Sequence, residues 1–302
     1  MIALITGSTG FVGKNLIYYL QDSDLNCVPL SREELISSAF TKIDQSDSII
    51  HLAGKAHASD KVSDPNPYYE INYELTKKLF EAFIRSDAKK FVYISSVKAI
   101  ADDVDDVLRE SYLPNPHTHY GKSKLMAEEY IFSKELPEWK FIYILRPCMI
   151  HGPGNKGNLN LLYNLVSKGI PYPLAAFENK RSFLSVENLC FVIRELLSRD
   201  DIPSGVYHVA DDEALSTNDL IKLIAEASDR KPKLWKINPA LIRYIAKLGD
   251  ILKLPLTTER LNKLTENYIV DNTKIKQALG KDFPVNANDG IITTIKSFQK
   301  PN

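Results

Sequence analysis

The sequence predicts an α/β fold in which a doubly wound parallel sheet carries a smaller, mixed α/β lobe at its C-terminal end. Short apolar runs alternate, along residues 1–150, with segments whose apolar side chains have helical spacing. These runs are apolar throughout, which is typical of parallel strands covered by helices on both faces. A glycine-rich turn at residues 7–13 joins the first apolar run to the first helical segment.

The first strands and helices can be assigned in order along the chain. Strands are expected at the apolar runs MIALITG, LNCVPLS, DSIIHLAG, KKFVYISS and KFIYILRP. Amphipathic helices are expected at FVGKNLIYYLQD, PYYEINYELTKKLFEAFIRS and YGKSKLMAEEYIFSKEL. Because parallel strands need a crossover connection, these helices fit as links between strands of one sheet.

The pattern changes after Pro147. HGPGNKGN is typical of a loop, and helices are expected at LNLLYNLVSKG and at STNDLIKLIAEAS, which has a capping signature at Ser216 and Asp219. A strand and helix at RSFLSVENLCFVIRELLS, followed by a strand at GVYHVA, return the chain to the sheet over residues 181–210. Residues 151–180 and 211–302 are therefore expected to form the smaller lobe over the carboxyl edge of the sheet, with only short segments after STNDLIKLIAEAS.

Composition and charge exclude several classes of protein. The 302 residues carry 38 Lys and Arg against 38 Asp and Glu, so no basic excess indicates a nucleic-acid-binding protein. Cys27, Cys148 and Cys190 lie far apart and form no metal-ligand spacing, so neither a disulfide framework nor a metal site is expected. The sequence has no signal peptide pattern and no apolar stretch of about 18 residues, which predicts a cytoplasmic protein with no membrane partner.

The glycine-rich turn predicts a dinucleotide site. Gly7, Gly10 and Gly13 follow the first strand and open the first helix. Gly7 permits a tight turn, Gly10 a close approach of a pyrophosphate, and Gly13 close packing of helix on strand. The free amides at the start of the helix then face the phosphates. A plain turn from strand to helix is the alternative, but the position predicts an NAD(P)-binding domain of Rossmann type over residues 1–150.

The end of the second strand bears on the choice between NAD and NADP. An acidic residue there favours NAD and an arginine favours the 2′-phosphate of NADP. Here Ser31 and Arg32 come first, followed by Glu33 and Glu34. We therefore expect NADP(H), with Arg32 pairing with the phosphate and Ser31 donating a hydrogen bond. NAD(H) stays possible, because Arg32 could instead be a solvated residue at the start of a helix.

Three residues form a candidate catalytic set. Tyr120 and Lys124 lie one helical turn apart, and Ser96 ends the strand before them. A neighbouring ammonium favours the phenolate form of a tyrosine, whose pKa is otherwise near 10. The set therefore predicts proton transfer to or from a hydroxyl or carbonyl, with Ser96 bonding the substrate oxygen and Lys124 also bonding a cofactor ribose.

These residues resemble the extended short-chain dehydrogenase/reductase family, in the nucleotide-sugar epimerase and 4-keto reductase branch of polysaccharide biosynthesis. The resemblance runs over nearly the whole chain and includes TGSTGFVG, IIHLAG, Asn72 in YEINYELTKKL, ISSVKAIA, YGKSK, LRPCMIHGPG and KRSFLSVENL. It implies that the smaller lobe binds substrate. It also implies cofactor contacts at Phe11, Leu52, Ala53, Gly54, Pro147 and Cys148, and substrate contacts at Asn158, Leu159 and Arg181. Cys148 could equally be core packing, and Arg181 could pair with Glu178 or Glu187.

Two reactions fit this resemblance. Dehydratases of the family carry an Asp-Glu pair after the active-site serine or threonine, whereas Val97 and Lys98 follow Ser96 here, which disfavours dehydration. Arg32 favours reduction of C4 in a UDP-4-keto-6-deoxy-N-acetylhexosamine. The alternative is a UDP-sugar 4-epimerase, of UDP-GlcNAc or UDP-glucose type, with tightly bound NAD. A non-catalytic cofactor sensor is a third reading, disfavoured because Tyr120 and Lys124 are both present.

The resemblance also implies a homodimer. The segments 68–85 and 120–136 have apolar residues on more than one face, and family members pair such helices in a four-helix interface. The alternative is that both helices simply pack on the sheet.

Overall fold

The protein, seen here as a computed structural model, is described at residues 1–38, 40–56, 64–155, 157–253 and 256–299. The strands are β1 Ile2–Thr6, β2 Asn26–Leu30, β3 Ser48–His51, β4 Lys90–Ile94, β5 Val107–Leu108, β6 Phe141–Pro147, β7 Met149–His151, β8 Phe183–Ser185, β9 Gly205–Val209 and β10 Ile269–Val270. The α-helices are α1 Phe11–Leu20, α2 Arg32–Ser37, α3 Asn66–Tyr69, α4 Leu75–Arg85, α5 His119–Phe132, α6 Asn158–Ser167, α7 Val186–Ser198, α8 Thr217–Ala227, α9 Pro239–Leu252, α10 Thr258–Thr265, α11 Thr273–Leu279 and α12 Ala287–Gln299.

The main sheet has six parallel strands in the order β2-β1-β3-β4-β6-β9. The chain first moves from β1 outward to β2, and then crosses over to β3 on the other side of β1. In sheets of this kind ligands bind beyond the carboxyl ends of the strands, where the strand order reverses. The predicted parallel sheet is confirmed, and the reversal lies beside β1. The strand predicted at the start of RSFLSVENLCFVIRELLS forms β8, which pairs with β7 instead of joining this sheet.

Helices cover both faces of this sheet, as the uniformly apolar strands predict. On β1, Ala3 and Ile5 pack into the cluster that includes Leu16 of α1 and Leu189 of α7. Leu4, between them, points to the opposite face and its separate cluster, which contains residues of α4 and α5. The sheet is therefore doubly wound, and its central strands are fully buried.

The smaller lobe has a core of its own, built from α6, α8, α9, α10 and α12. Short parallel pairs, β7 with β8 and β5 with β10, lie beside the sheet. The capping box predicted at Ser216 and Asp219 is present at the start of α8. The expectation of only short segments beyond α8 is wrong, because α9 has 14 residues and α12 has 13.

The helix predicted between β3 and β4 is interrupted by a π-helical turn, Glu70–Glu74, which separates α3 from α4. Such turns contain an extra residue and occur often at functional sites. The side chain of Asn72, in the middle of this turn, is fully buried.

Two buried lysines at the amino edge of the sheet bind the carbonyl groups at the ends of two helices. The ammonium of Lys140 donates hydrogen bonds of 2.6–2.9 Å to the carbonyls of Phe83, Ser86 and Ala88, at and beyond the end of α4. Lys90 does the same for three carbonyls at the end of α7. The last carbonyls of a helix lack partners within it and carry partial negative charge, which the ammonium groups satisfy.

Among the described residues, no helix is long and apolar enough to cross a membrane.

Candidate active site

A cleft of about 910 Å³ opens at the carboxyl ends of β1, β3, β4 and β6. It combines the glycine-rich turn with the candidate catalytic set and the start of α6. A larger opening of about 1010 Å³ lies around Met1, Asp47 and Lys89 and contains none of those residues. The cleft is lined by Gly10, Phe11, Val12, Gly13, Leu52, Gly54, Lys55, Ala56, Ile94, Ser95, Ser96, Tyr120, Lys124, Pro147, Cys148, Met149, Ile150, Asn155, Gly157, Leu159, Asn160 and Leu161.

The glycine-rich turn leaves no room for side chains. Gly7 has φ +70°, and a Cβ atom there would lie 2.8 Å from the amide nitrogen of Ala53. A Cβ atom on Gly13 would lie 2.7 Å from the Cα atom of Ser8 and still closer to the carbonyl of Gly7. Gly10 is the N-cap of α1 and supplies no capping side chain, so the first amides of the helix stay available. This is the arrangement that binds phosphate groups.

The loop after β3 lies against this turn and against α5, the helix that carries Tyr120 and Lys124. The amide of Ala53 donates a 3.1 Å hydrogen bond to Oγ1 of Thr6, and Leu52 faces the cleft. A Cβ atom on Gly54 would lie 3.2 Å from Nζ of Lys124. The loop therefore passes close to the lysine, and a side chain at position 54 would be crowded against it.

Asn72 ties the same loop to α5. Its Oδ1 accepts a 2.8 Å hydrogen bond from the amide of Lys55, and its Nδ2 donates to the Lys55 carbonyl at 3.1 Å. Nδ2 also donates to Oγ of Ser123 at 3.0 Å, one residue before Lys124. The resemblance included Asn72 without a role, and the structure shows it joining the two sides of the cleft.

The candidate catalytic side chains meet at the centre of the cleft. Ser96 follows β4 and caps a short 3₁₀ turn, Val97–Ala99, through a 3.2 Å hydrogen bond from the amide of Lys98 to its Oγ. Tyr120 lines the cleft beside Ser96, which lowers the pKa of its hydroxyl. Lys124 is buried, and its ammonium donates a 2.8 Å hydrogen bond to the carbonyl of Ile94.

Burial, rather than Lys124, dominates the pKa of Tyr120 in the protein alone. Removal from water raises this pKa above its ordinary value, and the hydrogen bond from Ser96 opposes the rise. The sequence argument had Lys124 lowering the tyrosine pKa, and this expectation does not hold here. The ammonium is instead aimed at the Ile94 carbonyl and lies 4.7 Å from the ring centre of Tyr93.

Burial also lowers the pKa of Lys124 to about 8, and the carboxylate of Glu128 partly opposes this. Glu128 lies one helical turn further along α5, so the two side chains share a face. His51, also buried, has its pKa lowered to about 3 by loss of water and by the charge of Lys124. Its ring is hydrogen-bonded between Thr6 and Thr76, so this histidine is a neutral core residue.

A buried ion pair joins α5 to strand β6. Nε of Arg146, on β6, donates to both carboxylate oxygens of Glu128 at 3.1 and 3.0 Å, and Nη2 donates to one of them. The hydroxyl of Ser95, the neighbour of Ser96, donates to the same carboxylate. Sequence reasoning missed this network. Its local signal is the spacing of four residues between Lys124 and Glu128, but the partner on β6 is distant in the chain.

The residues predicted to select the cofactor lie just beyond β2. Leu30 is the register partner of Thr6, so Ser31 and Arg32 follow β2 next to the start of the glycine-rich turn. Ser31 is the N-cap of α2, where it forms a capping box with Glu34. Arg32 is exposed at the first position of α2 and forms no ion pair with a described residue. Neither side chain lines the cleft.

Pro147 and Cys148 reach the cleft at the end of β6. Cys148 is buried, and its amide donates a 3.2 Å hydrogen bond to the carbonyl of Val209. Burial raises the pKa of its thiol well above the usual range. Burial therefore favours the protonated form of this thiol.

The predicted substrate residues lie at the lobe side of the cleft. Leu159 lines the cleft and also a smaller cavity of about 200 Å³, whose other lining residues include Arg181. Arg181 pairs with Glu266 at 3.3 Å and donates to the carbonyl of Lys263 at 3.0 Å, rather than pairing with either glutamate considered from the sequence. The side chain of Asn158 lies outside the described part of the chain.

Comparison with known proteins identifies the family. Residues 3–210 match the NAD dependent epimerase/dehydratase family. The chain belongs to this family. A "UDP-glucose 4-epimerase" of Vibrio cholerae is 30% identical, over 99% of this chain and 96% of that protein. An "N-acetyl-alpha-D-glucosaminyl-diphospho-ditrans,octacis-undecaprenol 4-epimerase" of Escherichia coli O157:H7 is 25% identical, over 97% and 94%.

Solved structures agree on the fold. The UDP-glucuronic acid 4-epimerase of Bacillus cereus in complex with NAD superposes with a TM-score of 0.77, over 99% of this chain and 96% of that one, at 20% identity. The family match and the Vibrio cholerae relative confirm the resemblance to the extended short-chain dehydrogenase/reductases. The protein is an enzyme of the branch that contains nucleotide-sugar epimerases and reductases.

Proposed function

We propose that this enzyme is an NAD-dependent 4-epimerase of nucleotide sugars. The observation that carries the proposal is the make-up of the cleft, which unites the glycine-rich turn with Ser96, Tyr120 and Lys124. Among the described residues that line it, none is an aspartate or glutamate. Elimination of water from a sugar needs a further acid and base, and a single tyrosine suffices for oxidation and re-reduction at one carbon.

The residues present fit a nicotinamide dinucleotide. A side chain at Gly7 or Gly13 would collide with the backbone that shapes the turn, and the uncapped amides of α1 supply donors for a pyrophosphate. Lys124 uses one of its three N–H groups on Ile94, which leaves two for ribose hydroxyls. When bound, the oxidised cofactor supplies hydride acceptance and return together with a positive charge.

The protein's own part is to hold the sugar and to move one proton. Tyr120 would take the proton from the 4-hydroxyl as C4 is oxidised and return it as C4 is reduced, while Ser96 holds the same oxygen. Inversion requires the 4-keto sugar to turn in the cleft between the two steps, so that hydride returns to its other face. Because burial raises the tyrosine pKa, positive charge nearby is required for the phenolate, and the oxidised cofactor would supply it. A positioned group of this kind contributes about 10²–10⁴ in rate.

We also place the nucleotide end of the substrate in the smaller lobe. Leu159 lines both the cleft and the adjoining cavity, Arg181 lines the cavity, and a planar guanidinium suits a diphosphate. The pairing of Arg181 with Glu266 means that binding must exchange a carboxylate for a phosphate. The two relatives that are named 4-epimerases, and that cover nearly the whole chain, support the choice of reaction.

The test is turnover without added cofactor. The purified enzyme is incubated with UDP-glucose and, separately, with UDP-GlcNAc, and the products are separated by chromatography. We expect the corresponding 4-epimer, and a nicotinamide cofactor released when the protein is denatured. The Tyr120→Phe variant should lose about 10²–10⁴ in kcat with little change in KM. Wild-type enzyme that turns over a 4-keto sugar only when reduced cofactor is added would overturn the proposal.

A 4-keto reductase is the second candidate, and Arg32 favours it. This side chain is exposed beside the glycine-rich turn with no ion pair to a described residue, so it is available to a 2′-phosphate. A reductase must exchange its cofactor in every cycle, whereas an epimerase retains it. Tighter binding of NADPH than NADH, with no epimerisation, would support the reductase. The homodimer is tested separately, by sedimentation.

A further inference from the structure

Helix α9 has two apolar faces, and only one of them is covered. Ile242, Ala246 and Gly249 are buried in the core of the smaller lobe. A second row of apolar residues follows at spacings of three, four and seven, which places them on one other side of the helix. This outer face consists of Leu241, Tyr244, Ile245, Leu248, Ile251 and Leu252.

The outer face is strongly exposed. Ile251 is 76% exposed, Leu252 63% and Tyr244 61%. Single exposed apolar residues are common, but a continuous row of large ones usually marks a surface that binds something. Trp235, four residues before the helix, is 57% exposed as well.

Positive charge surrounds this face. Residues 229–263 contain nine lysines and arginines against Asp229, Asp250 and Glu259, in a chain whose total charge is zero. Arg243 and Lys247 lie on α9 itself, and Lys253 follows its last residue. These three side chains are exposed and form no ion pair with a described residue. The basic excess is therefore local and lies next to the apolar row.

We propose that the outer face of α9 lies on the surface of a membrane that contains anionic lipids. An apolar row with basic residues beside it is the pattern of helices that lie in the plane of a membrane interface, and tyrosine and tryptophan favour that region. A second copy of the chain fits less well, because it would bring Arg243, Lys247 and Lys253 against the same cations. Anionic headgroups instead neutralise them.

This proposal goes beyond the sequence expectation of no membrane partner, which rested on the lack of a spanning segment. At 14 residues, α9 is about 21 Å long and lies on a surface rather than crossing it. Helix α9 packs against α10, whose Lys263 and Leu264 line the cavity beside Arg181. Docking would hold that side of the lobe near the lipid, and it does not depend on the reaction proposed above.

The test is co-sedimentation of the whole enzyme with vesicles. One set contains phosphatidylcholine and phosphatidylglycerol in equal amounts, and the other contains phosphatidylcholine alone. We expect binding to the first set, weakened by salt, and much weaker binding to the second. The Tyr244→Gln/Ile251→Gln variant should bind at least about tenfold less. Arg243→Gln and Lys247→Gln should each lower binding about fivefold.

The matched control is Tyr18→Gln/Leu113→Gln, which changes an exposed tyrosine and an exposed aliphatic residue elsewhere. It should bind vesicles like the wild type, and all variants should keep the wild-type rate on a sugar nucleotide. Equal sedimentation with neutral vesicles, no binding to anionic vesicles, or equal loss in the control would each overturn the proposal. A dimer in sedimentation velocity that Tyr244→Gln/Ile251→Gln dissociates would assign the face to a second copy instead.

Discussion

Replacing Glu128 by glutamine should destabilise the enzyme far more than its conservative chemistry suggests. Glu128 is 1% exposed and its partner Arg146 is 6% exposed. The carboxylate accepts three hydrogen bonds from the guanidinium and one from Ser95. The amide keeps the shape of the side chain, but it removes the charge and turns one acceptor into a donor.

The expected magnitude follows from what remains buried. Removing one partner of a buried ion pair costs about 3–5 kcal/mol, because the other charge stays in the interior without compensation. A second consequence concerns Lys124, whose pKa of about 8 is held up by Glu128 against the effect of burial. In Glu128→Gln this pKa should fall further, so the ammonium is lost at lower pH.

Two measurements test this reasoning. Urea unfolding gives the loss in free energy of unfolding, with Glu129→Gln as the control. Glu129 is the exposed neighbour of Glu128, and its change should stay within about 0.5 kcal/mol. The pH profile of kcat gives the second readout, in which the alkaline limb of Glu128→Gln should shift to lower pH. A double variant, Glu128→Met with Arg146→Met, should recover most of the lost stability.

A loss of less than about 1 kcal/mol in Glu128→Gln would refute the account of an uncompensated buried charge. An unchanged alkaline limb, in a variant that is destabilised as expected, would show that Glu128 supports the fold without acting on Lys124.

Three further predictions concern the glycine-rich turn, Lys124, and Lys140 at the end of α4. Gly13→Ala should abolish binding of NADH in a fluorescence titration, since its Cβ collides with the backbone of the turn, whereas Gly205→Ala, whose nearest neighbour is at 3.8 Å, should bind normally. Because burial lowers the pKa of Lys124 from 10.5 to about 8, kcat should fall as pH rises above about 8. A kcat that stays constant above that pH would contradict this. Lys140→Met should cost about 3 kcal/mol in urea unfolding, because three carbonyls at and beyond the end of α4 lose a charged donor, and a change below about 1 kcal/mol would refute that role.

Much of the sheet domain follows from local pattern. Runs such as those of β1 and β4 are apolar at successive positions, whose side chains point to opposite faces of the sheet. The sequence therefore predicts both the strand and its burial on two faces. The glycine spacing likewise predicts the turn, because Gly10 and Gly13 lie against the backbone of residues 7 and 8, whereas the close contact of Gly7 is with Ala53 in the loop after β3. The spacing of Tyr120 and Lys124 predicts their common face for the same reason.

Features that depend on distant partners were not predictable. Glu128 lies in the polar stretch MAEEY and is typical of an exposed helix position until Arg146 is known to lie behind it. The raised pKa of Tyr120 depends on burial by several elements, which a sequence does not show. Helix α9 was missed because its buried stripe consists of Ile242, Ala246 and Gly249, two of them small, while its largest apolar residues face outward.

The π-helical turn at Glu70–Glu74 fixes the number of residues that the chain needs between α3 and α4. An α-helix advances about 100° per residue, so deletion of one residue here would rotate α3 and α4 relative to each other by that angle. Asn72 would then leave its place between Lys55 and Ser123. In a library of single deletions, those within Glu70–Glu74 should therefore abolish function. Substitutions at the exposed positions of this turn should leave the hydrogen bonds of Asn72 intact.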